Sequence, residues 1–245
     1  MIAHLKRSQC IVGGAKALRG LIADLRVLHW LAKRHGKITR YLTNHQVRKL
    51  QLATSNNLLD GWLNTDLCPV HNSVLYLDAT RRFPFRDNTF DYIIAEHMIE
   101  HIEYEAALGM LRECFRVLKL GGRLRIATPD LQVLLGLHSG EKNDFQKYYI
   151  EWAVARFMPD VRCCKEVFVI NNFFRAWGHR FLYDEETLRN TMHASGFCCI
   201  KFYKPGESDD PVLKSLERHG RELGSEDINQ FETIVAEGRK ELANV

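Results

Sequence analysis

The chain has 245 residues, 46% of them apolar and 26% charged, with a formal net charge of +4. This composition supports the packed core of one α/β domain plus an appendage and excludes a disordered or collagen-like chain. No run approaches the roughly 18 apolar residues that span a bilayer. Met1–Cys10 carries Lys6 and Arg7 but is followed by Gly13, Gly14 and Lys16, so no secretory signal is expected. The seven cysteines include two adjacent pairs, Cys163–Cys164 and Cys198–Cys199, and no C-x-x-C spacing. They predict buried thiols of a cytoplasmic protein, without a zinc site or a disulfide framework.

Charge is unevenly placed. Residues 1–48 hold ten Lys/Arg against one acid, Asp24, so a basic arm (1–48) precedes a mildly acidic domain (49–245). Leu18, Leu21, Ile22, Leu25 and Leu28, continued by Trp30 and Leu31, recur at helical spacing. Such a helix suits docking on an edge of the domain or lying on an anionic membrane surface, which would place the protein at the membrane's inner face. Nucleic-acid contact and a mitochondrial presequence are further roles for an acid-poor arm.

From Lys49 the periodicity switches. Lys49–Ala53 predicts a first strand, Thr54–Asn57 a turn, Trp62–Leu67 a second strand and Val74–Asp78 a third. Asp91–Ala95 is nearly all apolar, as a strand covered on both faces should be. Glu103–Lys119 predicts a helix with Leu108, Leu111, Phe115 and Leu118 buried and Gly121-Gly122 as its stop. Arg123–Thr128 is a fifth strand, broken by Pro129. Asp184 caps a helix that Gly196 ends, and Phe197–Tyr203 and Phe231–Glu237 supply strands six and seven. The fold class is therefore α/β: a doubly wound, mostly parallel seven-stranded sheet with ligands at the strands' C-terminal ends.

Residues just after strands one to four line one crevice in such a fold. Ala53, Thr54, Ser55 and Asn56 are small enough for backbone amides to approach a ligand. Asp66 ends strand two, where a carboxylate accepts both hydroxyls of a ribose, and Asp78-Ala79 ends strand three, where an adenine edge would lie. Glu96-His97 follows strand four. No Walker lysine and no G-x-G-x-x-G is present, so a nucleoside without phosphates fits better than a triphosphate or a dinucleotide.

The stretch Lys49–Asp130 resembles the class I S-adenosylmethionine-dependent methyltransferases, which have a Rossmann-like fold. The likeness rests on K-L-Q-L-A-T-S-N-N-L-L-D-G-W-L-N-T-D-L, on D-A-T-R-R-F-P-F-R-D-N-T-F-D-Y-I-I-A-E-H-M-I-E-H-I and on R-E-C-F-R-V-L-K-L-G-G-R-L-R-I-A-T-P-D-L. With H-R-F-L-Y-D-E-E-T-L and the tail from Leu216 to Lys240, the chain is similar to the branch of small-molecule and surface-polysaccharide methyltransferases. The resemblance implies S-adenosyl-L-methionine as cofactor and O-methylation of a small-molecule or glycan-type acceptor. It places Ala53–Asn56 beneath the methionine moiety, Asp66 on the ribose, Asp78 and Ala79 on the adenine, and Glu96 and His97 beside the sulfonium. Ala53 and Ser55 stand where the family has glycines, and a side chain at the second penalises positive φ. A domain that has lost catalysis and serves as a scaffold is therefore the alternative. After strand four the chain has Glu96-His97-Met98 rather than an Asn/Asp-Pro-Pro-aromatic motif, so nucleic acid is not the expected acceptor.

Glu100 and His101 fall one turn beyond, on the expected helix flank, in structural roles; Asp130 follows strand five, where an acceptor or a loop could take it. Residues 129–183 form an insertion after strand five, suited to cover the cofactor and present flat surfaces to an acceptor. Eleven of its aromatics fall within residues 145–183. His179, where the insertion returns to the sheet, is the candidate general base, and His97 is the next. Either imidazole could instead hold a loop in place.

Overall fold

The computed structural model describes residues 25–241, so Cys10, Leu18, Leu21 and Ile22 lie outside the described residues. A helix over 25–44, α1, leads into seven strands: β1 Lys49–Leu52, β2 Leu63–Asp66, β3 Leu75–Tyr76, β4 Phe90–Glu96, β5 Leu118–Pro129, β6 Cys198–Tyr203 and β7 Thr233–Arg239. They form one sheet in the order β3-β2-β1-β4-β5-β7-β6. The pairs from β3 to β5 are parallel, and β7 runs antiparallel between β5 and β6. This is the seven-stranded Rossmann-like architecture expected from the sequence. Strand order reverses between β1 and β4, where Leu50 pairs with Ile93 and Leu52 with Ala95, so the ligand crevice opens at their C-terminal ends.

The main core packs Leu50, Leu52, Ile93 and Ile126 of the sheet against Ala107, Met110, Leu111, Cys114 and Val117 of helix α2, Tyr104–Val117. Of the stripe expected from spacing, Leu111 and Leu118 are fully buried, whereas Leu108 and Phe115 are only half-buried. Phe115 sits at the flank instead, edge-on to Phe197 with Lys240 over its ring. The glycine pair does not stop the helix either. The chain becomes extended at Leu118, which pairs with Phe90, and β5 then bends through Gly121 at φ 79°. A Cβ on Gly122 would lie 2.8 Å from the Lys119 carbonyl oxygen, so the close turn there requires glycine.

The C-terminal half of α1 docks beside β1–β3. Tyr41 is buried and its hydroxyl accepts from the Lys49 amide and donates to the Lys49 carbonyl, both at 2.8 Å, while Trp30 stacks on Tyr76. Leu25 and Leu28 of the expected stripe are exposed.

Residues 130–183 carry α3 Leu131–Gly136, α4 Asp144–Phe157 and α5 Glu166–Arg175. These build a second core in which Leu134, Tyr149, Val154, Val169 and Phe173 pack with Leu223 and Ile228. α6 Glu185–Ala194 follows, capped by Asp184, and then α7 His219–Leu223 and α8 Glu226–Glu232. Arg125, fully buried in β5, meets Glu217 at 2.6 Å and donates to the Glu207 carbonyl at 2.8 Å. It thereby fastens the segment before α7 across the sheet. The expectation of buried thiols fails: Cys68, Cys163, Cys164 and Cys199 are exposed and only Cys114 is buried among the described residues. Cys163 and Cys164 sit in the connection between α4 and α5, and Cys199 on a bulged edge strand at φ 52°.

Candidate active site

The first loop takes the backbone form that glycines would give it. Ala53 has φ 49° and Ser55 φ 47°, a left-handed conformation costing about 1–2 kcal/mol for a residue with a Cβ. Hydrogen bonds hold it there. The Thr54 amide donates to the Thr65 carbonyl at 2.9 Å, the Ser55 amide to Asp66 Oδ2 at 2.9 Å, and Gln51 Nε2 to the Asn57 carbonyl at 2.8 Å. His97 and Trp177 also have positive φ, at 44° and 55°. Of the seven non-glycine residues with positive φ among those described, these four line one cavity. Backbone strain clusters at active sites and ligand clamps, which makes this cavity the candidate site.

The cavity has a volume of ≈ 410 Å³, in the range of small-molecule sites. Ala53, Thr54 and Ser55 form its sheet-side rim, Glu96, His97 and Glu100 its floor, and His219, Glu222 and Glu232 a wall from the tail. Phe157, Phe173, Trp177 and His179 close it from the insertion, with Trp177 edge-on to Phe157 and Phe173.

The floor is strongly polar. Glu96 Oε1 accepts the amides of Arg218 at 2.6 Å and His219 at 2.7 Å, and burial raises its pKa above the usual carboxylate value. His97 stacks on His219 with ring centroids 3.7 Å apart, and its Nδ1 lies 3.2 Å from Glu100 Oε1. Burial pulls the His97 pKa down, but the carboxylates of Glu100, Glu96 and Glu232 outweigh it and hold the pKa above its ordinary value. Glu100 responds in the opposite sense: burial raises its pKa, and His97 brings it below the usual value. Its Oε2 accepts from the Thr128 hydroxyl at 2.9 Å.

His179 approaches from the insertion. The amides of Arg180 and Phe181 donate to the Glu100 carbonyl at 2.7 and 3.2 Å, locking this segment to the turn after β4. His179 Nδ1 is 2.7 Å from the Phe173 carbonyl oxygen, which leaves Nε2 as the open nitrogen. Burial lowers its pKa and favours the neutral ring.

The structure brings Ala53, Thr54, Ser55, Glu96, His97 and His179 to one cavity. Asn56, Asp66, Asp78 and Ala79 do not line it. Asp66 and Asp78 lie at or just beyond the ends of β2 and β3. Asp78 is engaged by its own loop, accepting from Thr80 Oγ1 at 2.6 Å and pairing with Arg81 at 3.0 Å. Asp66 holds the Ser55 amide and, through Oδ1, the Cys68 amide at 2.7 Å. A carboxylate offers about four lone-pair directions, so two remain for ribose hydroxyls. Asp130 caps α3, accepting from the Gln132 amide at 2.8 Å. Sequence reasoning missed Glu100, His101, His219, Glu222 and Glu232 as cavity residues. The repeated Glu-His at 96–97 and 100–101 was a usable signal, because one tight turn brings both pairs to the same rim.

Residues 27–126 match the family described as "Methyltransferase domain". Among curated proteins, nothing matches. Among solved structures, a SAM-dependent methyltransferase from Archaeoglobus fulgidus is similar at 15% identity over 88% of this chain and 94% of that one, with a TM-score of 0.47. Phosphoethanolamine N-methyltransferase 2 of Haemonchus contortus, in complex with S-adenosyl-L-methionine, is similar at 15% identity over 80% of this chain, with a TM-score of 0.41. The chain spans about half the length of that protein, 49%. A possible histamine N-methyltransferase from Thermotoga maritima is 14% identical over 88% of this chain and 95% of that one, with a TM-score of 0.43. The match to the methyltransferase-domain family thus covers residues 27–126, the part of the chain that holds most of the motifs read from the sequence.

Proposed function

We propose that the protein is an S-adenosylmethionine-dependent methyltransferase acting on an oxygen of a small-molecule or glycan-type acceptor. The observation that carries this reading is the loop after β1. Two residues with side chains hold glycine-like φ there, fastened to Asp66, beside a cavity large enough for a methionine moiety and an acceptor. Ala53–Asn56 would support the methionine part, Asp66 the ribose, and Asp78 and Ala79 the adenine. Glu96 and His97 form the floor near the sulfonium. When bound, the cofactor supplies an electrophilic methyl group, so the residues' work is alignment, exclusion of water and handling of the acceptor's proton. Phe157, Phe173 and Trp177 give flat apolar walls suited to a sugar or ring, and the neutral His179 offers Nε2 as the hydrogen-bond acceptor for an incoming hydroxyl. Calorimetry with S-adenosylhomocysteine tests this: micromolar binding is expected, and no binding at millimolar ligand would sink it.

A second reading concerns placement in the cell. Leu25, Leu28 and Leu31 of α1 are exposed beside Arg26, Lys33 and Arg34, and Leu67 and Val70 add apolar surface nearby. This combination supports contact with an anionic membrane from its cytoplasmic side. Co-sedimentation with anionic vesicles should weaken as salt rises, and indifference to lipid charge removes the idea.

A further inference from the structure

We propose that Glu100, His101 and His179 form a site for a divalent first-row transition-metal ion, of which zinc is the probe, with an open coordination position facing the cavity. One donor atom from each residue lies within 4.8 Å of the other two. Two imidazoles and one carboxylate are a donor set for such ions rather than for magnesium or calcium, which prefer oxygen alone.

Three features make this more than proximity. Glu100 is fully buried, yet its Oε1 has no hydrogen-bond partner; His97 Nδ1 lies at ion-pair distance without making that bond. A buried carboxylate oxygen held by an ion pair alone, with no hydrogen bond, keeps a lone pair that a cation in reach would satisfy. His179 has its Nδ1 committed to the Phe173 carbonyl, the outer contact that orients a metal-binding imidazole and presents Nε2. Thr128 and His97 support Glu100 in the same outer role. Finally, the spacing is fixed by the backbone, because the Glu100 carbonyl accepts both the Arg180 and the Phe181 amides. Tetrahedral coordination with bonds of about 2.0–2.1 Å places donors about 3.3 Å apart. The side chains therefore close in on binding, and the exposed His101 is the one free to move.

With the ion bound, His179 Nε2 is a ligand and no longer accepts a proton, so the acceptor hydroxyl would meet the ion's open position instead; the proton-accepting role of His179 belongs to the ion-free chain. That consequence rests on the methyltransferase reading, but ion binding does not, so it is measured without cofactor or acceptor. The full chain is stripped with a chelator and titrated with Zn²⁺ by calorimetry and with Co²⁺ by visible absorption. One ion per chain is expected, with a cobalt spectrum free of thiolate charge transfer. His101→Ala and His179→Ala should each weaken uptake at least about tenfold. Glu100→Gln should do the same, and circular dichroism checks the fold of each variant. If His179→Ala does not fold, His101→Ala at the exposed rim decides. The Cys198–Cys199–Glu241 group is the rival cluster among the described residues, so the double variant Cys198→Ser/Cys199→Ser should bind as the parent does. The proposal is overturned by no uptake at micromolar ion, by uptake indifferent to the histidine variants, or by uptake lost with the cysteines. S-adenosylhomocysteine binding, measured separately, reports on the functional reading alone.

Discussion

The Ser55 amide donates to Asp66 Oδ2 at 2.9 Å, which joins the tip of the first loop to the end of the neighbouring strand. This one bond links the strained residue to the carboxylate expected to hold the cofactor, so neither should be altered without moving the other.

Ser55→Gly removes the Cβ penalty at φ 47° but enlarges the unfolded ensemble. The net effect should be a gain of up to about 1 kcal/mol, since left-handed strain of about 1–2 kcal/mol exceeds the added entropy. Cofactor affinity should hold or rise. Ser55→Val, β-branched, should lose stability and cofactor binding together. Melting curves and calorimetry on the pair decide; equal stability of the three proteins would mean that the loop is not strained.

Asp66→Ala should weaken S-adenosylhomocysteine binding by roughly 1–3 kcal/mol through loss of charge-assisted hydrogen bonds. It also frees the Ser55 amide, so the loop should exchange its amide hydrogens faster even without ligand. Unchanged affinity would remove Asp66 from the cofactor site.

For His179→Ala, turnover should fall by about 10²–10⁴-fold, while affinity for S-adenosylhomocysteine stays near that of the parent. Retained turnover would remove the proton-accepting role from His179 and leave its hydrogen bond to the Phe173 carbonyl.

Asp184 supplies a prediction in pH. Its side chain accepts from the Thr187 amide at 2.8 Å, and the hydrogen bonds from Thr187 hold its pKa below the usual 3.8. Asp184→Ala should cost about 1 kcal/mol at neutral pH. Because the folded pKa is the lower one, the carboxylate's contribution is complete above the unfolded value and is lost as pH falls through the folded one. Parent and variant should therefore converge in urea stability below about pH 4. A constant difference down to pH 2 would refute the charge-assisted cap.

Much of the sheet was legible because apolar runs such as Asp91–Ala95 have no other use than a strand covered on both faces. The α2 stripe was half legible: Leu111 and Leu118 are buried as expected, but Leu108 and Phe115 outweigh smaller residues in any periodicity, while Ala107 and Cys114 share the packing. Site residues at the ends of β1 and β4 could be read from topology alone. The wall made by His219, Glu222 and Glu232 could not, for it comes from a polar tail without periodicity. Only long-range bonds place it, such as Glu96 to the His219 amide and Asn57 to Glu222. The left-handed φ of Ser55 was likewise beyond sequence, since the bonds that impose it reach Asp66 on another strand.

The position of β7 sets an order on biosynthesis. It is synthesised after β6 yet lies between β6 and β5. During translation, β6 has no strand to pair with until Thr233–Arg239 has left the ribosome, and the β5 edge stays open over the same interval. At about 5–20 residues per second, the 29 residues from Lys204 to Glu232 between the two strands take a few seconds to emerge. The same stretch carries His219, Glu222 and Glu232, so the wall of the candidate cavity and the closing strand of the sheet both emerge late.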